Sequence, residues 1–227
     1  TRGRPSEPST KAAALQPHQE GALLYICRNR ENAPDNETAR LLLESLAEGE
    51  RFAAAQTAEA AKLKAVAVAL PENDGRDALE KAAAEAAAWA QKQENLHIGL
   101  NGFDPNQAAE AAEIFALAFG QAAYRFNRFK KDAKAAKLNG ATFHTEHADA
   151  VQTALNWAEA QLYGINLCKD LGNTAPNVCT PKYLADTARA EAEKFGAAAK
   201  IHDKDHIREH MGSFWSVAKG SVEDPYL

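Results

Sequence analysis

Asp170-Leu171-Gly172-Asn173-Thr174-Ala175-Pro176-Asn177-Val178-Cys179-Thr180-Pro181 closes one long helical pattern and opens another. Thr180 offers a side-chain oxygen to orphan N–H groups, Pro181 arrives with φ already set for a first helical turn, and Phe195-Gly196 supplies a stop. A capped helix from Pro181 to Phe195 follows. Gly172 and Pro176 cannot both sit inside a helix, so residues 171–180 are expected to form a rigid joint between two packed bodies.

Upstream of the joint, Val151, Leu155, Ala158, Leu162 and Ile165 recur at four-three-four-three spacing, which predicts a helix with one apolar stripe from beyond His147 to about Lys169. Further back, strands and helices alternate. Ala22 to Cys27 is a short unbroken apolar run that reads as a strand buried on both faces, and Lys64 to Leu70 is a second. Thr38 to Glu48 carries leucines at helical spacing. Asp77 can cap an alanine-rich helix from Ala78 to Gln93, a strand covers Leu96 to Leu100, and Asp104-Pro105 opens a helix to about Phe126. This order predicts an α/β fold with a mainly parallel sheet flanked by helices. Lys130 to Asn139 reads as a surface segment, Ala197 to His202 as a short strand, and Asp203 or Asp205 as the cap of a brief helix to His210.

Composition narrows the partners. The net charge is -5, from 26 basic and 31 acidic side chains spread along all 227 residues, so no basic surface points to nucleic acid. No apolar run approaches the roughly 18 residues that span a bilayer, so no membrane partner is expected. Three widely spaced cysteines, Cys27, Cys168 and Cys179, fit a reduced intracellular protein rather than a disulfide framework. A cytoplasmic location is therefore expected.

The run Asn173-Thr174-Ala175-Pro176-Asn177-Val178-Cys179-Thr180-Pro181-Lys182-Tyr183-Leu184-Ala185, followed by Met211-Gly212-Ser213-Phe214-Trp215-Ser216-Val217-Ala218-Lys219-Gly220-Ser221, closely resembles the leucyl (cytosol) aminopeptidase family. The pattern from Ala118-Phe119-Gly120 to Tyr124-Arg125-Phe126-Asn127-Arg128-Phe129-Lys130 is similar to that family's late N-terminal-domain helix. The resemblance implies an N-terminal α/β domain followed by a larger catalytic domain with two divalent metal ions, manganese or zinc. There the metals hold the peptide amine and carbonyl and activate a bridging water, while a basic residue stabilises the tetrahedral intermediate. It also implies peptide substrates, a homo-hexamer and, in some bacterial members, an accessory role in DNA binding.

In that family the metal ligands and catalytic lysine follow a segment similar to Pro225-Tyr226-Leu227. No catalytic, cofactor-binding or metal-ligating position is therefore assigned to these residues, and the fragment is expected to be inactive. The expected organisation is an extended N-terminal segment over 1–20, an N-terminal α/β domain over 21–143, a bridging helix over 144–170, and the start of an incomplete second α/β domain, the catalytic one, over 171–227. The alternative is a scaffolding or binding module without chemistry, of the hexamer-capping or DNA-binding type; the acidic balance argues against the DNA role.

Other patterns invite chemistry. His206-Ile207-Arg208-Glu209-His210 has the H-x-x-E-H form of a zinc hydrolase, but no third ligand is placed to complete a tetrahedron, and the charged neighbours read as a solvated face. His144-Thr145-Glu146-His147 reads as helix-start chemistry. Cys179 lies beside a helix N-terminus, where thiols are activated, yet has no histidine near it in sequence, so it reads as a small residue in a packed joint. Ala218-Lys219-Gly220-Ser221 lacks the spacing of a phosphate loop. Trp89, Trp157 and Trp215 each fall in an apolar helical context and are expected in the core.

Overall fold

The computed structural model describes residues 9–13, 21–56, 63–71 and 75–227. Its contacts divide into two compact units, residues 1–166 and 167–227. Most of the extended segment expected over 1–20 lies outside the described residues.

The first unit is built on the two apolar runs read as buried strands. They become β2 (Gly21–Cys27) and β4 (Leu63–Ala69), paired in parallel with Leu24 opposite Ala67. On the other side of β2 lies β5 (Asn95–Asn101), also parallel, with Leu24 opposite Ile98. Three further strands, β1 (Ser9–Ala13), β3 (Phe52–Gln56) and β6 (Gly140–His144), complete the described sheet in the order β1-β6-β5-β2-β4-β3. Only β3 runs antiparallel, on the edge beside β4.

Alternation along the strands explains why both faces are covered. Ala22, Leu24 and Ile26 of β2, with Ala65, Ala67 and Ala69 of β4, face α2 (Arg76–Ala90) and α3 (Pro105–Ala123). Leu23, Tyr25 and Cys27, with Val66 and Val68, face α1 (Glu37–Ser45) through Ala39 and Leu43. The period of two places successive residues on opposite faces, so a strand covered on both reads as an unbroken apolar run.

The caps follow sequence with one exception. Asp104 accepts from Asn106 N–H and Gln107 N–H at 2.9 and 3.0 Å, and the Gln107 side chain returns to Asp104 N–H, a reciprocal capping box behind Pro105. In α2 the boundary residue is Gly75, without a side-chain cap; Asp77 lies inside the first turn, where its charge complements the helix dipole. Leu138, in the stretch read as surface, is buried against the core at 3 % exposure.

The long helix α4 (Ala148–Asn173) packs Val151, Leu155 and Ala158 into the core of the first unit. Leu162 closes on Gly120 of α3, where an added Cβ would stand 2.4 Å from a Leu162 methyl. Trp157 departs from expectation: it is 63 % exposed, because it falls between the buried positions Leu155 and Ala158 on the outward side of the helix.

The helix also runs through Gly172. An interior glycine costs only about 1 kcal/mol relative to alanine, too little to stop a helix held over many turns. Beyond it the Thr174 N–H and hydroxyl still donate to the Asp170 carbonyl, at 3.1 and 2.6 Å, and Pro176, with no N–H to give, follows two residues on. The helix thus ends at Asn173, past the Lys169 expected from the sequence.

In the second unit, α5 (Pro181–Lys194) starts where Thr180 accepts from Tyr183 N–H at 3.3 Å. After it come α6 (Lys204–His210), capped by Asp203, and α7 (Gly212–Ala218). The strand expected over Ala197 to His202 does not form. Only His202 is bridged, exchanging backbone hydrogen bonds with Leu227 at 2.7 and 3.0 Å, and among the described residues of this unit no sheet edge is there for Ala197 to Ile201 to join.

Candidate functional site

Two kinds of feature bear on function: clusters of imidazoles and an open apolar groove. The groove lies wholly in the second unit. Pro181, Leu184 and Ala188 of α5, Phe214 and Val217 of α7, and the terminal Leu227 border a space of about 650 Å³. Leu184, Phe214 and Val217 are 45, 41 and 83 % exposed, whereas Ile207 of α6 is fully buried. The capped start of α5 and the turn at Met211, which separates α6 from α7, set the two helices that form its walls.

The imidazoles form two groups. His206 and His210 share α6, and His202 precedes its cap; the His202 and His206 rings stack at 3.9 Å, and the His206 and His210 rings lie 4.6 Å apart. Desolvation first, then the positive charge that His202 and His210 carry when protonated, holds His206 below the usual imidazole range. The structure therefore brings together the two histidines of the H-x-x-E-H pattern.

The second group escapes sequence reading altogether. His97 of β5 and His144 of β6 meet with Nδ1 and Nε2 3.0 Å apart. His144, assigned from sequence to a helix start, instead ends a strand, while His147 alone adjoins α4 and its Nε2 lies 3.3 Å from the Phe103 carbonyl. The pairing depends on β6 lying beside β5 with Gly99 opposite His144, a register that no local signal announces.

The cysteines are free. Cys27 is buried, and burial pushes its thiol up to about 12, the reverse of an activated nucleophile. Cys168 is exposed and Cys179 half-buried. Tyr25, beside Cys27, is also raised, by burial and then by the charges of Asp35 and Cys27.

A two-metal hydrolytic centre needs clustered carboxylates and imidazoles. Among the described residues no three histidine, cysteine, aspartate or glutamate side chains come together as a group that could hold a metal ion. These residues do not fit the metal centre implied by the resemblance, and no catalytic step is derived on them. Among the described residues no helix is long and apolar enough to cross a membrane.

A mostly parallel sheet under helices on both faces, continued by a long helix into a helical unit, is an α/β architecture that recurs in a solved tomato leucine aminopeptidase mutant. The two share a TM-score of 0.78 over 99 % of this chain and 51 % of that one, at 19 % identity, which is evidence about the fold alone. Sequence carries the assignment further. The chain belongs to the cytosol aminopeptidase family, whose catalytic-domain model matches residues 166–227. It is 58 % identical over 219 residues to a probable cytosol aminopeptidase of Neisseria meningitidis, a match covering 96 % of this chain and 47 % of that protein. A probable cytosol aminopeptidase of Hydrogenovibrio crunogenus is 39 % identical over 126 residues, covering 54 % of this chain and 26 % of that one. The chain thus spans about half the length of the Neisseria relative.

Proposed function

We propose that these residues are the N-terminal portion of a metal-dependent aminopeptidase that releases N-terminal amino acids from peptides. Residues 21–143 serve as its N-terminal α/β domain, 144–170 as the bridging helix and 171–227 as the start of its catalytic domain. The observation that carries this reading is the 58 % identity to a probable cytosol aminopeptidase along nearly the whole chain.

The side-chain ligands for its two catalytic metals, manganese or zinc, are supplied by sequence that these 227 residues do not include, so the fragment alone is inactive. The complete enzyme is a cytoplasmic homo-hexamer. One feature supports this division of labour: the apolar groove lies in the segment that matches the catalytic-domain model.

The test is an assay of the whole protein on leucine amides and short peptides after exchange into manganese or zinc. Metal-dependent release of the first residue, lost on chelation and restored by metal, is the expected result. Absence of turnover across a panel of N-terminal residues, with the metals bound, would remove the enzyme reading and leave scaffolding.

A further inference from the structure

The aminopeptidase reading makes no use of the imidazoles on α6. His206 and His210 stand four residues apart within that helix, so their side chains are neighbours on one face. Their ring centroids are 4.6 Å apart and the ring planes meet at 57°. On the other side of His206, the His202 ring stacks at 3.9 Å with only 25° between planes.

The lone pair with which an imidazole nitrogen binds a metal lies in the plane of the ring. Two nearly parallel rings 3.9 Å apart send their lone pairs out side by side. These cannot meet on one ion at the roughly 2.0–2.1 Å of a zinc–nitrogen bond. Planes inclined at 57° intersect much nearer the rings than planes at 25°, so His206 and His210 can converge where His202 and His206 cannot.

We propose that His206 and His210 form a two-imidazole surface chelate for a divalent transition cation of the zinc, nickel or copper kind, with water completing the coordination. The donor set selects the class: imidazole nitrogen suits these ions, whereas magnesium and calcium require oxygen cages. Glu209 places a carboxylate oxygen 3.8 Å from His210 Nε2, which offsets part of the incoming charge, while Arg208 is held on Asp205 at 3.1 Å. Metal binds only neutral imidazole, so protons compete with it at both rings. With only two protein ligands the site is open and exchangeable.

The experiment is a zinc titration of the 227-residue chain at about pH 7.5, followed by the histidine ring resonances in NMR and by calorimetry. One equivalent should move His206 and His210 together and leave His97, His144 and His147 in place. His206→Ala or His210→Ala should each weaken binding by roughly tenfold or more, His202→Ala should change it little, and acidification to about pH 5.5 should release the metal. Zinc shifts confined to other histidines would overturn the proposal, as would unchanged affinity in the His206→Ala, His210→Ala double variant. The ring shifts are read on the unmodified chain, so the outcome does not depend on the variants folding.

Discussion

Gly102 and Cys27 show how single residues bind the first unit together. Gly102 sits between β5 and the Asp104 cap with φ at +80°, and a Cβ there would lie 2.0 Å from Asn32 Cγ. Gly102→Ala should lower stability to urea by roughly 1–3 kcal/mol, from backbone strain and the clash combined. Adding Asn32→Ala should recover the steric part but not the strain, so the two changes should be non-additive. Additive losses would show that the side chain of Asn32 simply moves aside. For the cysteines, Cys168 should be the first thiol labelled by a disulfide reagent at about pH 8, and Cys27 should react only on unfolding. The raised Cys27 pKa has a sign for stability. Its contribution is fully present below the unfolded thiol value of about 8.5, and is lost as pH rises from there toward about 12.

At the scale of elements, the alanines of β4 and α2 matter more than their size suggests. Ala65, Ala67 and Ala69 share one buried core with Ala82, Ala83 and Ala86, all nearly inaccessible, which leaves little room for a larger side chain. Ala82→Leu should destabilise by about 1–3 kcal/mol through overpacking, measured as a shifted urea midpoint with an unchanged slope. Thr180→Ala should cost about 1 kcal/mol by removing the cap of α5. These elements were legible because their signals are local: apolar runs for β2 and β4, Asp104-Pro105 for α3, Thr180-Pro181 for α5. The edge strand β3 and the partner strand β6 were not, since five residues of mixed character become strands only through the neighbours they pair with. The His97–His144 contact was hidden for the same reason. Trp157 misled because heptad-like spacing identifies the buried stripe, while a large residue just off it looks equally apolar in sequence.

For the whole molecule, the contrast between its units is the main physical consequence. The sheet of the first unit is covered by α1 on one face and by α2 and α3 on the other. In the second unit Leu184, Phe195, Phe214 and Val217 remain exposed to water. Burying one such side chain fully is worth roughly 1.5–3 kcal/mol, so four left uncovered are a substantial part of a domain margin of about 5–15 kcal/mol. Hydrogen exchange should therefore protect amides of β2, β5 and α3 longer than those from Leu184 to Val217, and concentrated samples should self-associate through the groove. Equal protection in a monodisperse monomer would show that the second unit completes its own core. The central claim, that these residues belong to an aminopeptidase whose chemistry is carried elsewhere in the protein, is tested most directly by assaying leucine-amide hydrolysis. The assay uses homogeneous 227-residue chain with manganese or zinc, beside the whole protein. The account predicts metal-dependent turnover by the whole protein and none by the fragment, even with zinc bound at His206 and His210; fragment turnover abolished by a chelator and by His206→Ala with His210→Ala would contradict it.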